Sequence, residues 1–278
     1  MATTDIYHIV GSLKPARKAF KNIGGDTNDY LQVNAAAVAL VAANNATGTW
    51  SAWINMANIT GTFCIACAGD DNAVEFLELN VEAGLLTARC TDATTAQFVT
   101  QADAIEFRPH RWYHVAMVQA ADGVGPKLYV NGARIAATND TTTDVDEWFV
   151  NLDGIDTMRI GAANKAGDAS VTNEFSGAIS DVKLWSTALT AAEVLADYQG
   201  TAVQATALEN HWKMDDDYTD AGLGADTGTA VGDIILCNEY SEFSSRLAFM
   251  PAARAVVADL LLVSCNENTG HAVIVKAA

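Results

Sequence analysis

"RWYHVAMVQAADGVGPKLYVNGARIAA", residues 111–137, decides the fold class. In its first half Tyr113, Val115 and Met117 alternate with His114, Ala116 and Val118, so one face is bulky and the other smaller but still apolar. Period-two alternation of this kind belongs to a strand inside a two-layer packing. In its second half Asn131-Gly132 stands between two apolar runs. Asn-Gly supplies the two positive φ angles that a type I′ hairpin turn requires. The stretch predicts two strands, a hairpin and a further strand, and it carries no catalytic group.

The same rhythm extends to both sides. "DYLQV" (29–33) and "TWSAWINM" (49–56) are aromatic and β-branched runs between Gly and Asn breakers, and "GTFCIACAG", "AVEFLELNVEAG" and "LLTARCTDAT" follow at short spacing. Short strands bounded by turn residues at this interval predict an antiparallel sandwich or barrel. Beyond the hairpin, "DTMRIGAAN" and "FSGAISDVKLWSTAL" predict two more strands, with Gly161 and Gly177 at bends. One helix is predicted, over about 191–198. Thr190 and Glu193 form a capping box, and Gly200 stands where a left-handed residue ends the helix. A strand around Trp212, a Gly- and Asp-rich loop and two apolar C-terminal strands complete the chain.

Composition narrows the function. The 278 residues are 50% hydrophobic and 18% charged, which predicts a folded chain with a substantial core. The net charge is −18 and the pI near 4.4, a field that repels nucleic acid and anionic lipid. Residues 1–25 depart from it: Lys14, Arg17, Lys18 and Lys21 against Asp5 make a basic arm, read as a partner-docking segment. No apolar run is long enough to span a bilayer, and the opening residues lack the order of a secretory signal. Five cysteines at irregular spacings predict reduced thiols. Cys64 and Cys67 form a CxxC inside an apolar strand, without a second CxxC or a paired His, and read as buried small hydrophobes.

Taken together, "DYLQV", "TWSAWIN", "WYHVAMV", the "LYVNG" hairpin and the closing "GAISDVKLWSTALTAAEVLADY" resemble the laminin G-like, concanavalin A-like lectin/glucanase superfamily over residues 26–220. The resemblance implies an all-β jelly-roll sandwich with one short helix, preceded by the arm (1–25) and followed by a loop and C-terminal β extension (221–278). It also implies where function would sit. Glycosidases of the superfamily carry a Glu-x-Asp-x-(x)-Glu run on one strand; it is missing here, so no enzyme is expected. The scattered histidines support no triad. Relatives that bind Ca²⁺ gather loop carboxylates, which makes Asp215, Asp216 and Asp217 the candidate calcium ligands; no other cofactor is expected. Five of the six tryptophans match structural positions, whereas Trp148, followed by Phe149, lies in a loop-like context and is the candidate for glycan or partner recognition.

The apolar C-terminal strands must complete a sheet within this chain or in a neighbouring subunit. Together with the reduced thiols and the absent signal, they favour a non-catalytic building block of a larger assembly. The expectation is a capsid decoration, fibre or tail protein of a bacteriophage virion, made in the host cytoplasm, with other subunits or further copies as partners. The alternative is a carbohydrate-binding lectin or adhesion module.

Overall fold

The computed structural model describes residues 7–8, 17–22, 28–104, 107–165, 170–239, 260–266 and 271–276. Strands β1 (Tyr7–His8), β2 (Arg17–Asn22) and β3 (Tyr30–Gln32) lead to helix α1 (Asn34–Ala42). β4 (Gly48–Met56), β5 (Thr62–Gly69), β6 (Phe76–Glu82), β7 (Leu85–Asp92) and β8 (Thr95–Ala102) follow. Next come β9 (Trp112–Gln119), β10 (Lys127–Val130), β11 (Ala133–Arg134) and β12 (Ala137–Thr142). A 3-10 turn at Phe149–Asn151 precedes β13 (Thr157–Ile160) and β14 (Gly177–Trp185). After helix α2 (Ala191–Tyr198) come β15 (Leu208–Trp212), β16 (Thr229–Val231), β17 (Ile234–Glu239), β18 (Leu260–Asn266) and β19 (His271–Lys276).

Two compact units result. One spans Lys18–Cys237 and contains two eight-stranded sheets. Sheet I runs β11-β10-β9-β4-β14-β2-β17, with β15 also paired to β14; sheet II runs β12-β8-β7-β6-β5-β13-β3-β16. The other unit takes residues 1–17 and 238–278, where β19 pairs with both β18 and β1. The apolar C-terminal strands therefore pair within the chain.

Alternation builds the core of the larger unit. Trp50, Ala52, Ile54 and Met56 of β4, Val115 and Met117 of β9 and Leu77, Leu79 and Val81 of β6 join one buried cluster between the sheets. This is the jelly-roll sandwich that the resemblance implies, with the strands and hairpin that the 111–137 stretch predicts: β9 pairs along its length with β4, and Asn131 and Gly132 take φ of 51° and 77° at the hairpin. Trp212, fully buried, places β15 within the same sandwich and donates from Nε1 to the Asp226 carbonyl at 2.7 Å.

The structure departs from the sequence expectation in the N-terminal part of the chain. Residues 17–22 are not a free arm: Phe20 and Lys21 lie opposite Ile179 and Ala178 of β14, and Phe20 is buried in the core. Arg17, Lys18 and Lys21 are thus strand residues of sheet I, while Lys14 falls outside the described residues. α1 is a second helix. Its sequence, NAAAVALVA, has no polar face to mark a 3.6-residue period; only its alanine content favours a helix.

Gly177 is the tightest point of sheet I, with φ 141° and a position 2.1 Å from the Asn55 carbonyl oxygen where a Cβ would stand. Gly177→Ala should destabilise the chain by more than about 2 kcal/mol in urea unfolding. Gly200→Ala, at φ 77° with open space around it, should cost only about 1 kcal/mol.

Candidate functional site

The inward residues of β4 being apolar, Ser51, Trp53 and Asn55 project from the outer face of sheet I. Ser51 lies opposite Lys183 of β14, which lies opposite His211 of β15; Trp53 lies opposite His114 of β9 and Ser180 of β14. A bulge between Ser180 and Lys183 leaves both residues on this outer face, with Asp181 between them at φ 55°.

Helix α2 covers part of this polar row. Its capping box forms as the sequence predicts, Thr190 Oγ1 accepting from the Glu193 amide while Glu193 accepts from Thr190 N. Val194 of the helix, with Leu189 just before its cap, joins Ala116, Val118, Tyr129 and Trp185 in an apolar cluster. Asp197, the penultimate residue of the helix, is buried at 3% exposure. Its carboxylate accepts from Ser51 Oγ at 2.8 Å, His114 Nε2 at 2.9 Å and Lys183 Nζ at 2.7 Å. Lys183 also reaches Asp181 at 3.3 Å, and Asp181 accepts from His211 Nε2 at 2.5 Å. The chain of charges therefore runs from the buried helix contact out to half-buried His211 and Asp181.

The electrostatics follow from this geometry. Burial pushes the Asp197 carboxyl up, but the His114 hydrogen bond and the Lys183 charge outweigh it and hold it below its usual value. Burial opposes the Lys183 ammonium, yet Asp181 and Asp197 raise it above its own. The Asp197 contribution is thus present at neutral pH and lost as pH falls through the carboxylate range; the Lys183 contribution is lost at strongly alkaline pH.

Three rings stand beside the network. Trp53 stacks on Tyr198 of α2, with centroids 5.5 Å apart and planes at 25°, and meets His114 edge-on at 5.5 Å. Trp53 and Tyr198 are half-buried, and half-buried Trp112 lies opposite Asn55 on the same face. This juxtaposition of aromatic faces with anchored hydrogen-bonding groups is the candidate recognition patch.

The residues singled out from sequence lie elsewhere. Trp148 and Phe149 are 1% and 0% exposed and belong to the core, so neither can present a ring to a ligand. The turn at 149–151 folds them inward: Trp148 packs 5.8 Å from Trp50, and its indole fills the space that a side chain at Gly48 would need. Asp215, Asp216 and Asp217 lie in an exposed bend, where Asp215 accepts from the Asp216 amide and Asp217 from the Thr219 amide. Among the described residues no group of three His, Cys, Asp or Glu is disposed to hold a metal. Also among the described residues, no helix is long and apolar enough to cross a membrane. Sequence reasoning placed Trp53 in the core and missed Asp197, whose role depends on partners 14, 83 and 146 residues away.

With the geometry established, comparison places the chain in a family. The chain belongs to the concanavalin A-like lectin/glucanases superfamily, whose laminin G-like family model matches residues 25–195. It is similar to a putative carbohydrate binding protein from Bacteroides ovatus, at 19% identity and TM-score 0.52 over 81% of this chain and 60% of that one. It also resembles the CBM40 module of a Ruminococcus gnavus IT-sialidase, at 14% identity and TM-score 0.50 over 64% of this chain and 97% of the module. A leech intramolecular trans-sialidase aligns at 16% identity and TM-score 0.50, over 67% of this chain and 29% of the enzyme. These likenesses are of fold. A search of curated proteins returned no match. Neither the family nor these structures supports the capsid or tail role expected from the sequence.

Glu147 gives a test of the electrostatics. Buried at 4% exposure and facing Asp144, Asp92 and Glu75, it is pushed up to about 7, chiefly by burial. A carboxyl raised above its unfolded value of about 4.3 penalises the folded state increasingly as pH climbs between the two. Glu147→Gln should therefore raise unfolding free energy at pH 8 by about 1–3 kcal/mol and leave it nearly unchanged at pH 4, read by urea denaturation.

Proposed function

We propose that the sandwich unit is a non-catalytic carbohydrate-binding module that holds its glycan against the Trp53–Tyr198 patch on the outer face of sheet I. The observation that carries this reading is the aromatic pair itself. Two half-buried rings are held in a stack by a helix whose end is pinned to the sheet by the Asp197 carboxylate. Ring faces of this kind pack against the CH surfaces of a pyranose, and Asp181, His211 and Lys183 stand ready at the edge of the network to hydrogen-bond hydroxyl groups. The pinned geometry limits the ordering cost of binding.

Membership of a superfamily of lectins and glucanases supports the reading, as do the carbohydrate-binding names of the Bacteroides and Ruminococcus relatives. The non-catalytic assignment rests on charge. Asp181 and Asp197 both pair with Lys183, which leaves this patch no carboxyl poised as a general acid.

Screening the full chain on a glycan array should identify a bound sugar, and titration calorimetry with it should then separate the two tryptophan environments. Trp53→Ala is expected to weaken binding at least tenfold, about 1.4 kcal/mol, with the chain still folded. Trp148→Ala should instead cost about 3–5 kcal/mol of stability, as removal of a core aromatic does. Undiminished glycan binding by Trp53→Ala would overturn the assignment of the patch.

A further inference from the structure

The outer face of sheet II carries a second constellation, independent of the glycan reading. Two residues three apart on a regular strand point to opposite faces. Cys64 and Cys67 do not: β5 has a bulge between Cys64 and Ala66, so that Cys64 lies opposite Asn80 of β6 and Cys67 opposite Glu78. Because Leu77, Leu79 and Val81 point into the core, Glu78 and Asn80 project outward, and both cysteines project with them. The thiols are free, fully buried, and gathered with Phe76 and Ala163 in an apolar cluster apart from the main core. Cys67 Sγ approaches the Asn164 carbonyl at 3.5 Å.

Their strand partners are under-satisfied. Glu78 and Asn80 are both fully buried; Asn80 Nδ2 donates to Glu78 Oε2 at 2.8 Å, and Lys165 pairs with that same oxygen at 2.5 Å. Among the described residues, Glu78 Oε1 and Asn80 Oδ1 have no hydrogen-bond partner. Four adjacent paired positions thus present two thiols and two unpartnered oxygens, a polar arrangement costly to bury without a ligand. On the other side of Cys67, Arg159 of β13 lies opposite it and bonds to the Ala163 and Ser170 carbonyls at 3.3 and 2.6 Å.

We propose that Cys64 and Cys67 form a two-coordinate dithiolate site for a soft monovalent cation of the Cu(I) type. A disulfide fits less well. Strand positions two apart on the partner imply a Cα separation of about 6.7 Å, at the upper limit for that bond. A metal ion bridges a longer gap, and thiolates select soft ions. Charge favours one positive charge: two thiolates, Glu78, Lys165, Arg159 and one monovalent cation together sum to zero. Loading is balanced without electron transfer. Two S–H bonds break, two S–Cu bonds form, and two protons leave to solvent.

The experiment is an anaerobic titration of the reduced full chain with Cu(I) against a competing Cu(I) chelator, followed by ultraviolet thiolate-to-copper absorption. One equivalent should be retained, and Cys64→Ser or Cys67→Ser should each lose it. A chain carrying Cys90→Ala, Cys237→Ala and Cys265→Ala should keep it, and Glu78→Gln should weaken it roughly ten- to hundredfold. If the serine variants fail to fold, X-ray absorption of the loaded three-alanine chain reads the ligands directly, with two sulfurs expected. No retained equivalent in the unaltered chain, or retention when both Cys64 and Cys67 are replaced, would overturn the site.

Discussion

The sandwich depends on β4 and β14 being buried on both faces. Between the sheets this is ordinary apolar packing, and Trp50, Ile54, Ile179 and Leu184 supply it. On the outer face the same strands present Ser51, Ser180 and Lys183, polar groups that a layer above would strand without partners. Helix α2 resolves the conflict because its Asp197 brings one carboxylate to three donors at once. Removing one partner of such a cluster costs far more than the cluster contributes when whole, which ties the helix position to the sheet. The stacked Trp53–Tyr198 pair inherits its rigidity from that contact.

Much of the sandwich was legible because local signals agree with the global pattern. The Asn131-Gly132 turn, the capping box at Thr190 and Glu193 and the alternation in β4 and β9 each need only a few neighbouring residues to be read. The site was much less legible. Trp148 sits in a polar, loop-like stretch, and nothing within ten residues of it reveals that Gly48 leaves room for its indole. The basic character of residues 14–21 signals an exposed arm, while the pairing of Phe20 with Ile179 is a contact 159 positions distant in the chain. A helix without a polar face, such as α1, gives periodicity nothing to detect.

Net charge misleads about the site in the same way. At −18 the chain as a whole repels anions, yet cations occupy outer-face positions on both sheets, half-buried Lys183 on one and buried Arg159 on the other. Each is matched locally, Lys183 by Asp181 and Asp197 and Arg159 by backbone carbonyls and the Tyr30 ring at 4.8 Å. Desolvation makes these near neighbours decisive, since exposed charges beyond about 8–10 Å are largely screened. Acidic composition therefore speaks to solubility and to the exclusion of nucleic acid, and says little about what either outer face recognises.

One device explains why alternation alone could not find the chemistry. In β14 a bulge lets Ser180 and Lys183 face outward together; in β5 a bulge does the same for Cys64 and Cys67. Both pairs are three residues apart, a spacing that an unbroken strand would divide between the core and the outer face. Were β14 regular, Lys183 and Ser180 could not share a face, and either Asp197 would lose its cation or Ser180 would change sides. Were β5 regular, one thiol would enter the main core and the other would stand alone beside Glu78 or Asn80. The extra residue costs a ladder position in each strand, and at β14 it also holds Asp181 at φ 55°, a conformation that a non-glycine residue adopts only under constraint. In return it sets side by side groups that the period of two would keep apart.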